Sequence, residues 1–148
     1  LQSGIDDDGR RLVTQAIDFI RHYADRYHHA KEEDILFKYF DEKSDILQAM
    51  HADHETGRGH VRAAEAAAVQ GDAAEAREHL LAYGALLTEH IRKEDEILYP
   101  WMDRELDDSA IGRLFGQFQQ VEERFGDKPA CYRALVESLE KELGNSKV

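Results

Sequence analysis

Apolar side chains recur along this chain at helical rather than alternating spacing. After the acidic stretch Asp6-Asp7-Asp8, whose carboxylates suit a helix N-terminus, Leu12, Ile17, Phe19, Ile20, Tyr23, Tyr27 and Ile35 predict a long helix over about 8–40. A second amphipathic stretch starts near Ser44-Asp45 and carries Ile46, Leu47, Met50, His54 and Val61, predicting a helix over about 44–69. Gly71-Asp72 ends it and caps a third, over about 73–105, in which Leu80, Leu81, Tyr83, Leu86, Leu87, Ile91, Ile97 and Leu98 keep the period. Beyond Asp107-Asp108-Ser109, Ile111, Leu114, Phe115, Phe118 and Val121 mark a shorter helix over about 109–124. Gly126 to Pro129 break the pattern before a last helix over about 130–143. The expected fold class is all-α, with three long helices and shorter C-terminal ones.

Composition narrows the function. The 148 residues suffice for one hydrophobic core, so residues 1–148 read as a single domain. A formal net charge of -12, with no Lys/Arg cluster, argues against nucleic acid and anionic lipid as partners. No apolar run approaches the ~20 residues of a membrane span and no signal-peptide pattern is present, so a soluble cytoplasmic protein is expected. Cys131 is the only cysteine, which rules out an internal disulfide and argues against an iron–sulfur cluster.

The chemistry lies in a repeat. His28-His29-Ala30-Lys31-Glu32-Glu33-Asp34-Ile35-Leu36-Phe37 aligns without gaps with His90-Ile91-Arg92-Lys93-Glu94-Asp95-Glu96-Ile97-Leu98-Tyr99, 62 residues later. Each copy holds a His-x-x-x-Glu pair, which on a helix sets an imidazole and a carboxylate one turn apart on one face. Ile35 and Ile97, seven positions beyond the two histidines, mark that face as inward. An ionised glutamate on a core face is costly unless paired or bound to metal, and two facing pairs could share a cation. Carboxylates with imidazoles suit iron first, with manganese or zinc as lesser options.

From the second helix, His54 falls in register with Leu47 and Val61 and therefore points inward as a third contributor. The candidate metal ligands are His28, Glu32, His54, His90 and Glu94, with His51 and Asp95 as alternatives. The repeat selects His28 over His29, whose counterpart is Ile91, and Glu32 over Glu33; His29 is read as an edge or supporting residue. His22, His60 and His79 lack a matching carboxylate and are read as surface or structural. Tyr83 and Gly57 fall near the expected pocket.

These motifs, with Asp53-His54-Glu55-Thr56-Gly57-Arg58 between them, resemble those of the hemerythrin-like, HHE cation-binding family over about residues 12–125. The resemblance implies an up-down helical bundle and a non-haem centre of two iron ions. In it glutamates such as Glu32 and Glu94 would bridge, and histidines such as His28, His54 and His90 would terminate. It also implies binding or sensing of O2, NO or iron. The alternatives are a di-iron redox or iron-centre repair enzyme, and an interaction module braced by metal; the enzyme question stays open, with binding favoured over turnover. Family bundles begin with a helix carrying a further histidine that has no counterpart before Asp6 here, so the number of metals and a homodimer closing the groove are tied expectations. Met50 stands where oxygen-carrying members have another histidine, which favours simple oxygen carriage less.

Overall fold

The structure, a computed structural model, describes residues 7–126 and, beyond them, residues 130, 131, 133–135, 137 and 141. Half of the predicted helix over about 130–143 falls outside the described residues; those described within it are helical.

A first helical rod comprises α1 (Asp7–Phe19), a π-helical stretch Ile20–His29, and α2 (Ala30–Asp34). At Ile35 the backbone leaves helical geometry (φ -122, ψ -68), and Leu36–Tyr39 wind more tightly as a 3-10 turn. That change of winding puts Leu36 and Phe37 inside. The periodic stretch 8–40 is thus one rod to Asp34 and a separate turn beyond it.

Next, α3 (Asp45–Gln70) and α4 (Ala73–Lys93) form a hairpin whose turn is written in two residues. Gly71 takes φ 79, a left-handed conformation that costs glycine little, and lets Asp72 N–H reach Ala67 O at 2.9 Å. The Asp72 carboxylate then accepts from Glu75 N–H at 3.0 Å, capping α4. The third rod continues through π-helical turns at Glu94–Leu98 into α5 (Tyr99–Glu105). Finally α6 (Asp108–Phe125) starts where Asp107 accepts from Ala110 N–H at 2.7 Å.

Cross-helix pairs set the directions. Asp25–Arg58 and His29–His54 run the first rod antiparallel to α3, while Asp53–Lys93 and Gly57–Tyr83 run α3 antiparallel to α4. Tyr27–Phe125 and Lys31–Glu122 lay α6 antiparallel against the first rod. The result is an all-α bundle of alternating direction, without a strand among the described residues.

The core is divided. Leu36, Phe37, Leu47, Met50, Leu98, Met102 and Leu114 form one apolar cluster, and Ile17, Val61, Ala64 and Tyr83 form another. Between them each rod places its buried polar residues: His29 and Glu32 on the first, His54 on α3, His90 and Glu94 on the third. Burying each large apolar side chain contributes roughly 1.5–3 kcal/mol, so the two clusters clamp the layer that is expensive to bury. Among the described residues, no helix is long and apolar enough to cross a membrane.

Candidate metal centre

Two groups of converging donor atoms occupy the polar layer. His29, His54 and His90 bring three imidazoles together, and His28, Glu32 and Glu94 form the second group; within each, the donor atoms lie within 4.8 Å of one another. His29 stacks on His54 with ring centroids 4.1 Å apart, and His54 Nε2 lies 3.2 Å from His90 Nε2. Tetrahedral coordination at about 2.0–2.1 Å sets two imidazole nitrogens about 3.3 Å apart, so that separation suits a shared cation.

The two groups are joined through carboxylates. Glu32 turns Oε1 toward His28 Nε2 at 3.1 Å and Oε2 toward His54 Nε2 at 3.3 Å, one oxygen to each group. Glu94 Oε1 lies 3.0 Å from His90 Nε2 although Glu94 belongs to the second group. Tyr99 donates its hydroxyl to Glu32 Oε1 at 3.3 Å.

Behind the three buried imidazoles stands a ring of acids. His54 Nδ1 is 2.6 Å from Glu33 Oε1, His90 Nδ1 is 3.1 Å from Asp53 Oδ2, and His29 Nδ1 is 3.8 Å from Asp25 Oδ1. For His54 and His90, whose Nε2 atoms meet at the centre, the carboxylate faces the opposite ring nitrogen, an arrangement that fixes tautomer and ring orientation at metal sites. Arg58 ties Asp25 to Glu33, and Lys93 ties down Asp53 at 2.6 Å.

The electrostatics of the layer point to a cation. Burial opposes charge on His54, yet the Glu32 and Glu33 carboxylates push it up to about 9. His90 is likewise raised, burial being outweighed by Glu94 and Asp53, and hydrogen bonding to Glu32 raises His28. Burial holds His29 below its ordinary value, with Asp25 opposing. Burial would raise Glu32, but the His28 and His54 imidazoles beside it hold it below the usual carboxylate range; burial, reinforced by Glu32 beside it, holds Glu94 above. Protons are retained where the carboxylates need positive charge. Glu32 Oε2 and Glu94 Oε1 are buried and accept no hydrogen bond from the described residues, although imidazole nitrogens lie close. Such approach without donor-to-acceptor alignment is how neighbouring ligands of one cation meet, so the donor set fits a metal.

Of the ligands expected from sequence, Glu32, His54, His90 and Glu94 are buried here, and His28 joins them with its side chain 47% exposed. His29, read as an edge residue, is instead buried at 5% exposure in the three-imidazole group. The physical reason is the π-helical stretch: Ala30 N–H reaches back to Asp25 O, five residues, and each wide turn delays the register of the residues beyond it. Departures from α-helical winding also correct the inward marker residues, through the 3-10 turn that begins at Leu36 and the π-helical turns at Glu94–Leu98. Leu36 and Leu98 are buried, whereas Ile97 is 48% exposed and Ile35 only half-buried. His51, with its side chain 45% exposed, lies 3.8 Å from Glu33, and Asp95 is exposed; neither belongs to the two groups. Spacing alone does not single out the orienting acids Asp25, Glu33 and Asp53, since only Glu33 neighbours the repeat's paired positions. Tyr99 is visible in the sequence only as an aromatic position of the repeat.

A pocket of about 360 Å³ opens beside the imidazoles, lined among others by Asp25, Arg58, Gly57 and Tyr83. Gly57 makes room for it: a Cβ there would stand 3.2 Å from the Tyr83 ring. The Tyr83 hydroxyl is buried and has no hydrogen-bond partner among the described residues.

No curated protein and no solved structure matches the chain. A family model does, the hemerythrin HHE cation binding domain, over residues 1–102. With that match covering more than half of the chain and two sets of converging donors in its helical bundle, the protein belongs to the hemerythrin HHE cation-binding family.

Proposed function

We propose that the buried centre holds two iron ions and that the protein binds or senses a diatomic gas, O2 or NO. The observation that carries this reading is Glu32, whose two oxygens lie 3.1 and 3.3 Å from histidines of different groups. A carboxylate so placed suits a bridge between two ions, one among His29, His54 and His90, the other among His28, Glu32 and Glu94. Carboxylate and imidazole donors without a thiolate favour iron over softer metals. Iron bound there supplies a coordination position for a diatomic ligand and a change of oxidation state.

The chain's own residues do the rest. Glu33 and Asp53 orient the His54 and His90 imidazoles, Asp25 stands beside His29, and the flanking apolar clusters close over the buried donors on either side. The pocket beside His29 and His54 gives a small molecule access to the layer. A second reading, a di-iron redox or repair enzyme, is favoured by the Tyr83 hydroxyl, which is buried at that pocket without a partner among the described residues and available as a proton donor.

Anaerobic loading with ferrous iron, followed by metal analysis and visible spectroscopy on exposure to O2 or NO, tests the proposal. Two irons per chain with a stoichiometric spectral change support gas binding. Sustained consumption of NO or peroxide under reductant moves the assignment to the enzyme, and failure to retain iron sinks both.

A further inference from the structure

His60 on α3 and His79 on α4 face each other across the hairpin, away from the centre already described. Their Nδ1 atoms are 3.2 Å apart and their ring centroids 5.5 Å apart, with the planes inclined by 42°. Both rings are half-buried, so solvent reaches the pair. Six residues separate His54 from His60, about 9 Å of helix rise, which is too far for the pair to share a ligand with the buried layer.

We propose that His60 and His79 form a second metal site, in which two imidazoles from neighbouring helices hold a Cu2+ or Zn2+ ion as a clasp across the α3–α4 hairpin. The Nδ1 separation of 3.2 Å equals that between the Nε2 atoms of His54 and His90, and it matches the edge of about 3.3 Å that tetrahedral coordination requires. Behind His79, Nε2 lies 3.9 Å from Glu75 Oε1, one helical turn earlier, so a carboxylate stands on the side of the ring turned away from His60. Water completes the coordination on the exposed side. Imidazole pairs select borderline cations such as Cu2+ and Zn2+ over Mg2+ and Ca2+, and a net charge of -12 raises the local concentration of any cation. Because the two ligands sit on different helices, only the folded hairpin presents both, and binding there stabilises it.

A single N–H···N hydrogen bond between two neutral rings would fit the same distance, and a Cu2+ titration separates the two. Electron paramagnetic resonance and calorimetry on the full chain would compare the native protein with His60→Gln and His79→Gln, circular dichroism confirming that both variants fold. Each variant is expected to bind one equivalent fewer than the native chain, or to bind that equivalent at least tenfold more weakly, with loss of the two-nitrogen hyperfine pattern. The difference between chains is read, so the result does not depend on what the buried centre holds. Equal stoichiometry with affinities within twofold would overturn the proposal. So would a Zn2+-induced rise in melting temperature that is the same in all three proteins.

Discussion

At the scale of single residues, the centre depends on acids that touch no metal as much as on those that would. Asp53 holds His90 and is itself held by Lys93, so Asp53→Asn removes the charge behind one imidazole while leaving shape intact. Metal affinity is expected to fall about 10- to 100-fold, read by competition against a chelator. His54 sets the pH dependence. Its pKa is raised from 6.5 to about 9, so without metal it carries a proton at neutral pH. A metal needs the neutral ring and expels that proton, so affinity should rise with pH up to about 9 and level off beyond. The stability of the metal-free protein should move the other way. A raised folded-state value contributes stability that is complete below 6.5 and is lost as pH rises through about 9. Metal titrations and urea unfolding, each at several pH values across that interval, check both slopes; parallel slopes would contradict the assignment.

Elements decide which residues the sequence pattern could reveal. α3 is α-helical throughout, and its buried residues Leu47, Met50, His54, Gly57, Val61, Ala64 and Ala67 recur at intervals of three or four. His54 is therefore legible from Leu47 and Val61 alone. On the third rod the spacing changes: Ala76, Tyr83 and His90 recur every seven residues, but His90, Glu94, Leu98 and Met102 every four. Four residues of an α-helix turn through more than a full circle, so a straight helix would carry that series off the core face. The wide turns at Glu94–Leu98, where Tyr99 N–H bonds Glu94 O, slow the rotation and keep it inside. Hence Glu94 is legible from the repeat, while Leu98 in place of Ile97 is not. Turn chemistry is plainer, because Gly71-Asp72 states both a helix end and a helix start. Gly71→Ala forces a side chain into the left-handed region at φ 79 and should cost about 1 kcal/mol, measured by urea unfolding. No change in stability would mean the hairpin turn is not held in that conformation.

For the whole molecule, a polar layer closed between two apolar clusters makes metal and fold interdependent. A ligand that binds only the folded state at a thousand times its dissociation constant adds about 4 kcal/mol of stability. Melting temperature should therefore rise on iron loading and fall on chelation, by an amount that shrinks in Glu32→Ala; a shift unchanged in that variant would place the metal elsewhere. The sequence by itself determined the helical class, the hairpin turn, the paired motif and the inward position of His54, because helical spacing, caps and i,i+4 pairs are local relations. Only the tertiary structure decided that His29 enters the buried group, that Glu32 faces both sets of histidines, and that Asp25, Glu33 and Asp53 stand behind them. Those outcomes depend on how wide turns rotate one rod against another and on distances between helices. A linear pattern of apolar and polar residues does not carry either quantity.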